Sequence, residues 1–208
     1  MCGRSGMSDF DAEASGWDDV PGRVERADAV AAAIRAQVRL SRSMTAFEYG
    51  CGTGLLSFAL RADLGPITLA DSSAGMLEVL KAKIARRGAQ DMTPMHLDLS
   101  TDPLPVEKFQ LIYTLMTLHH IRDTDRILWA FHAMLKKDGL VCIIDLDKED
   151  GSFHSNTPHF DGHCGFERGE LRHQLASLGF IKISFSTCYQ IPKNGRLYPL
   201  FLAVAEKP

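Results

Sequence analysis

No stretch of the 208 residues is apolar for long enough to cross a bilayer, and no signal peptide opens the chain. There is no C-x-x-C pair. The five cysteines stand apart at 2, 51, 142, 164 and 188, an odd number, which reads as reduced thiols in a cytoplasmic protein rather than a disulfide framework. An excess of basic charge is also missing. The formal charge of −3 gives no electrostatic footing for a nucleic acid, so neither a nucleic-acid nor a membrane partner is expected. No internal repeat, low-complexity tract or linker divides the chain. Its length suits one well-buried domain, and a hydrophobic content of 45% predicts a packed core. The opening MCGRSG precedes a second methionine, Met7, and has no periodicity, so it carries no fold expectation. Nothing in the sequence speaks to oligomeric state.

What is present is a regular alternation. Alanine-rich 24–40 predicts a helix entered through Pro21-Gly22. Strands follow at 44–49, 66–71, 92–99, 108–118 and 140–147, with helices at 54–64, 74–87 and 124–137 between them. A loop rich in Gly, His and Asp fills 148–165. A helix over 167–178 leads to two last strands joined by PKNG. Several strands are apolar on both faces, which suits a parallel sheet covered by helices. A connection as short as PKNG permits only an antiparallel hairpin. The expectation is one α/β domain, mostly parallel, with an antiparallel strand near the C-terminus.

The densest signal is FEYGCGTGLL, where Gly50, Gly52 and Gly54 separate a short apolar strand from a helical pattern. Glycine adopts backbone angles that crowd other residues and lets a ligand reach the main chain, while the following helix start presents unpaired N–H groups. A phosphate-binding loop is excluded, because Leu55 and Leu56 stand where a lysine is needed. A dinucleotide turn is weakened, since the third glycine comes one residue early. A purely structural turn stays open. Acids at three strand ends add to the signal: Glu48 before the turn, Asp71 after the second strand and Asp98 after the third. In open α/β sheets, ligands sit beyond the C-terminal strand ends. Carboxylates there suit a ligand with a ribose, an amino donor and positive charge, and would repel a pyrophosphate.

FEYGCGTG, LADSSAGML, HLDLS, LIYTLMTLHHI and MLKKDGLVCIID, taken together, resemble the class I S-adenosylmethionine-dependent methyltransferases, of the small-molecule type that includes the quinone-biosynthesis C-methyltransferases. The resemblance implies a Rossmann-like, doubly wound, seven-stranded sheet in which YPLFLAVAE inserts between the fifth strand and FIKISFSTC. It implies one methyltransferase domain over 21–208, preceded by a flexible or cofactor-covering segment over 1–20. It also implies S-adenosylmethionine as cofactor and a small-molecule acceptor. Gly50, Gly52 and Thr53 would approach the methionine part, with Glu48 holding the turn and the ammonium side. Asp71 would bind the ribose, Ser72 and Met76 would flank the adenine, and Asp98 would meet its amino group with the Leu99 amide on the ring. Thr114 would pass under the sulfonium, and Trp17 would belong to a flap over the cofactor. A protein that binds S-adenosylmethionine or S-adenosylhomocysteine without transfer remains an alternative, as does a nicotinamide-dependent oxidoreductase.

On the acceptor side, His119 and His120 after the fourth strand are the candidates for a base, against the alternative that one of them caps the next helix. Leu115, Met116 and Leu118 suggest a partly apolar wall suited to an uncharged or aromatic acceptor. His154, His159, His163 and Cys164 in the long loop match no zinc spacing, and no metal is expected on them.

Overall fold

The computed structural model describes residues 7–157 and 160–208. His159 lies outside the described residues, so its expected place in the loop is not addressed. A seven-stranded sheet runs in the order β3-β2-β1-β4-β5-β7-β6. The strands are β1 (Ala46–Tyr49), β2 (Ile67–Asp71), β3 (Met92–His96), β4 (Phe109–Leu115), β5 (Leu135–Leu146), β6 (Ile181–Lys193) and β7 (Arg196–Glu206). β1 to β5 pair in parallel, and β7 is antiparallel to both β5 and β6. The segment YPLFLAVAE therefore lies between β5 and β6, as the sequence implies. Asn194 and Gly195 both take positive φ (52° and 73°) between the paired Lys193 and Arg196. That is the turn whose twist matches two antiparallel strands.

The helices are α1 (Met7–Glu13), α2 (Arg23–Gln37), α3 (Leu55–Leu60), α4 (Ala74–Arg87), α5 (Thr124–Met134) and α6 (Arg168–Ser177). Period-2 side-chain alternation divides the core in two. Cys142, Ile144 and Leu146 of β5 face a layer with Val30 and Ile34 of α2, Leu56 and Leu60 of α3 and Leu80 of α4. Val141 and Ile143 face the opposite layer, with Ile127 and Phe131 of α5 and Leu171 and Leu175 of α6. The sheet order reverses between β1 and β4, so a ligand crevice is expected at their C-terminal ends.

Three element boundaries differ from expectation. The helix expected over 54–64 covers only Leu55–Leu60 before a turn. The helix expected to run to 137 stops at Met134, because Leu135 already pairs with Phe109 and Asp138 and Gly139 bond to Lys207 at the chain's end. Within the polar start, residues 7–19 form α1 and a 3-10 turn over Ala14–Asp19, and both pack on α4.

Glu48 sits in β1 on the α2–α3 side, 2% exposed. Its carboxyl accepts the Ser57 hydroxyl of α3, and Ser57 Oγ lies 2.6 Å from the Tyr113 hydroxyl of β4. Burial, partly opposed by the Ser57 bonds, raises the Glu48 carboxyl to about 8. The folded chain thus holds a proton that the unfolded chain releases near its ordinary value of 4.5. This contribution is complete below 4.5 and is lost as pH rises to about 8, with a limiting slope of about 1.4 kcal/mol per pH unit. Glu48→Gln keeps the hydrogen-bonded shape without the proton. Urea titrations from pH 5 to pH 8 should show wild-type stability falling more steeply than that of the variant; parallel curves would refute a buried protonated Glu48.

Candidate functional site

The turn after β1 is built on left-handed backbone. Gly50, Gly52 and Gly54 have φ of 66°, 52° and 82°. A β-carbon on Gly50 would fall 2.2 Å from Thr117 Oγ1, so the loop after β4 lies directly against the turn. A β-carbon on Gly52 would lie 3.8 Å from the Trp17 indole nitrogen and 3.9 Å from Met76 Sδ. The surface of the turn therefore lies between the N-terminal segment and the first turn of α4.

Asp71, at the end of β2, fastens this arrangement. Its Oδ2 accepts Gly52 N–H at 2.7 Å and its Oδ1 accepts Ser73 N–H at 2.8 Å. Burial pushes its carboxyl above the ordinary range, although backbone donors from Ser73, Gly52 and Ser72 oppose the shift. Ser73 then caps α4 by accepting Met76 N–H, which sets the Met76 side chain against the turn. Ser72 lies between Asp71 and this cap.

Residues that the sequence reading left unassigned hold the N-terminal segment in place. Asp11 accepts Ser73 Oγ–H and Gly75 N–H. Asp18 accepts the Thr53 hydroxyl and pairs at 2.6 Å with Lys83, whose side chain is 4% exposed. The Arg23 guanidinium stacks 3.4 Å from the Trp17 ring. Phe10 meets the Trp17 ring edge-on at 5.9 Å and the His120 ring at 5.2 Å. The segment thus spans both sides of the crevice. The sequence offered Trp17 as its one visible marker.

Four assignments need adjustment. Glu48 turns to Ser57 beneath the turn, which holds it from below, and does not face the crevice. The Leu99 N–H is already donated to the Tyr49 hydroxyl at 3.2 Å, so it is not a free amide. Thr114 is fully buried within β4, and Thr117 is the threonine that reaches the glycine turn, with Oγ1 3.4 Å from Gly50 O. Leu118 is fully buried in the α5 layer and lines no wall. Asp98 remains partly exposed beyond β3, its Oδ1 accepting Ser100 N–H at 2.9 Å. Met116, next to Thr117, has φ of 56°, a rare conformation for a side-chain-bearing residue and one that gathers at ligand sites.

Beyond β4 the histidines meet. His119 is 1% exposed and its Nδ1 lies 2.6 Å from Asp145 Oδ1, inside β5. Asp145 is fully buried, and also accepts the N–H groups of Leu146 and His119. Its place in the apolar run CIIDLD was the available signal, since an acid inside a buried strand has to be paired. His154, from the long loop, lies 5.2 Å from the His119 ring and 5.4 Å from the His120 ring, and stacks on Phe160 at 3.7 Å. Burial and the neighbouring rings lower His120 to about 3 and His154 to about 4, so both are neutral imidazoles. Neither His119 nor His120 caps α5; the Asp123 side chain does, accepting Arg126 N–H. His163 turns away, its Nε2 2.9 Å from Ile121 O.

In its mostly parallel sheet with β7 inserted antiparallel, its glycine turn at the switch point and its acid at the end of β2, the chain is similar to class I S-adenosylmethionine-dependent methyltransferase domains. Residues 46–139 match the family model described as "Methyltransferase domain". An uncharacterized methyltransferase of Schizosaccharomyces pombe is 28% identical over 120 residues, covering 54% of this chain and 42% of that protein. A ubiquinone biosynthesis O-methyltransferase of Haemophilus ducreyi is 27% identical over 105 residues, covering 49% and 44%. The chain thus spans less than half the length of these curated relatives. Among solved structures, a SAM dependent methyltransferase from Aquifex aeolicus shares the fold with a TM-score of 0.71 at 18% identity, over 95% of this chain and 98% of that one. No helix among the described residues is long and apolar enough to cross a membrane.

The Gly50–Thr117 contact gives a direct test of the site's frame. Gly50→Ala should lower stability by about 2–3 kcal/mol in urea unfolding, from a strained φ plus the clash. Adding Thr117→Ala should recover part of that loss, because the two positions are in contact. Strictly additive effects would mean that the turn and the loop after β4 do not touch.

Proposed function

We propose that the chain transfers a methyl group from S-adenosylmethionine to a small-molecule acceptor. The observation that carries this reading is Asp71. It holds a partly buried carboxyl whose partners among the described residues are N–H groups of the turn and of the start of α4, which leaves oxygen lone pairs for hydroxyl donors. That donor set fits a ribose. In the same reading Gly50, Gly52 and Thr53 border the methionine part, Glu48 supports them from below, Ser72 and Met76 flank the adenine with Asp98 and Leu99 at its far edge, and Trp17 covers the turn. Thr117 replaces Thr114 beside the reacting end.

When bound, S-adenosylmethionine would supply the methyl group: the acceptor's lone pair would bond to the methyl carbon as the carbon–sulfur bond breaks, and its electron pair would leave on the sulfur of S-adenosylhomocysteine. The chain's own task is alignment and exclusion of water. Phe10, Phe153 and Phe160 surround the imidazoles of His119, His120 and His154, giving an apolar wall with nitrogen atoms set in it. An uncharged or aromatic acceptor bearing a hydroxyl suits this wall. The name of the Haemophilus ducreyi relative supports an oxygen acceptor of the quinone-biosynthesis kind. His119 and His120 are the acceptor-side residues of this reading.

Calorimetry tests the cofactor half. S-adenosylmethionine and S-adenosylhomocysteine should bind and NAD should not. Asp71→Ala should weaken binding by on the order of 1.5–3 kcal/mol, roughly 10- to 150-fold. Unchanged affinity in that variant would remove Asp71 from the ribose site and sink the assignment. Radiolabelled methyl transfer to a panel of phenols and quinols tests the other half; cofactor binding with no transfer to any of them would favour a non-transferring binder. With an acceptor in hand, His120→Ala should reduce turnover while keeping cofactor affinity within about threefold.

A further inference from the structure

We propose that His119, His120 and His154 form a three-histidine site for a divalent transition metal of the zinc type, with its remaining position open toward the acceptor wall. The three residues come from the loop after β4 and the loop after β5, so no spacing motif announces them. His154 is one of the loop residues on which the sequence predicts no metal; the proposal departs from that expectation because the fold brings His154 to His119 and His120, while His163 turns away. One nitrogen from each of the three imidazoles lies within 4.8 Å of the others. Ligands about 2.0–2.1 Å from a tetrahedral ion sit about 3.3 Å apart. The difference is within the reach of side-chain torsions.

Two further observations point to a cation here. The Nε2 atoms of His119 and His154 are buried and have no hydrogen-bond partner among the described residues. A buried polar atom left unpaired costs about 1–3 kcal/mol, and a metal would satisfy both. Asp145 supplies the outer shell. Its Oδ1 meets His119 Nδ1 at 2.6 Å, which leaves Nε2 as the ring nitrogen without a partner among the described residues. A carboxylate–histidine pair of this kind orients a ligating imidazole and raises its basicity. Three nitrogen ligands with an open fourth position is the ligand count of a catalytic zinc centre rather than of a structural one. That the metal would serve an acceptor oxygen rests on the methyl-transfer reading; that a metal binds does not.

The test uses the full chain, freed of metal by chelation and titrated with zinc by calorimetry and with cobalt(II) by visible absorption. One equivalent of zinc should bind, and cobalt should give the intense visible bands of a four-coordinate nitrogen site. His154→Ala should abolish the cobalt spectrum, and Asp145→Asn should weaken zinc by 10- to 100-fold. S-adenosylmethionine affinity is measured on the same variants, which shows that they remain folded. If neither metal binds, or if His154→Ala leaves the stoichiometry and spectrum unchanged, the site is refuted. Zinc binding without cofactor binding would instead overturn the methyl-transfer reading and leave the metal site standing.

Discussion

Asp71 accepts two N–H groups, one from Gly52 and one from Ser73, and those two bonds set the relative position of the glycine turn and the start of α4. Several other placements follow from them. Ser73 is fixed where its hydroxyl can cap Met76 and meet Asp11. Met76 is thereby aimed at Gly52, and Asp11 draws α1 onto the N-terminus of α4, where the helix dipole favours a carboxylate. Asp71 is only partly buried, and with two N–H partners it keeps lone pairs that further hydroxyl donors can meet.

The N-terminal segment joins the two halves of the site. At one end Asp11 and Asp18 tie it to α4 and to Thr53. At the other, Phe10 meets His120. Both anchoring acids act through hydrogen bonds to groups that border the proposed cofactor position. A ligand against Gly52 would therefore meet Trp17 first, and any shift of Trp17 would reach His120 through Phe10. The segment thus touches both the glycine turn and the histidines after β4.

The sheet, its order and the antiparallel insertion were legible because periodicity, the PKNG turn and the resemblance all agree. The glycine turn and Asp71 were legible because each is a residue type placed at a strand end, where local sequence sets the geometry. Other features were not. The sharing of Leu99 N–H with Tyr49 joins positions fifty residues apart, and the Thr117–Gly50 contact joins positions sixty-seven apart. Thr114 and Thr117 are equivalent on paper; strand pairing buries the first and the strained Met116 turns the second outward. The histidine cluster needed two loops to meet, which no linear spacing encodes. Even there one clue was present, in the acid set within CIIDLD.

The way buried polar atoms are distributed argues that this second half of the crevice is built for a ligand as much as the first. Arg26, Thr114, His119, His132, Glu149 and His154 each leave one buried side-chain atom without a hydrogen-bond partner among the described residues. Two of them, His119 and His154, stand ring to ring, and Glu149 lies in the same loop as His154. Arg26 approaches from α2 with its charge acting on Asp145, and burial lowers its guanidinium to about 10. At about 1–3 kcal/mol each, such atoms together weigh on the scale of a domain's whole stability. Packing alone would not bring the unpartnered atoms of His119 and His154 together at that cost, since apolar residues would fill the space at lower free energy. The apolar ring of Phe10, Phe153 and Phe160 around these imidazoles bounds the space where a polar partner would complete them.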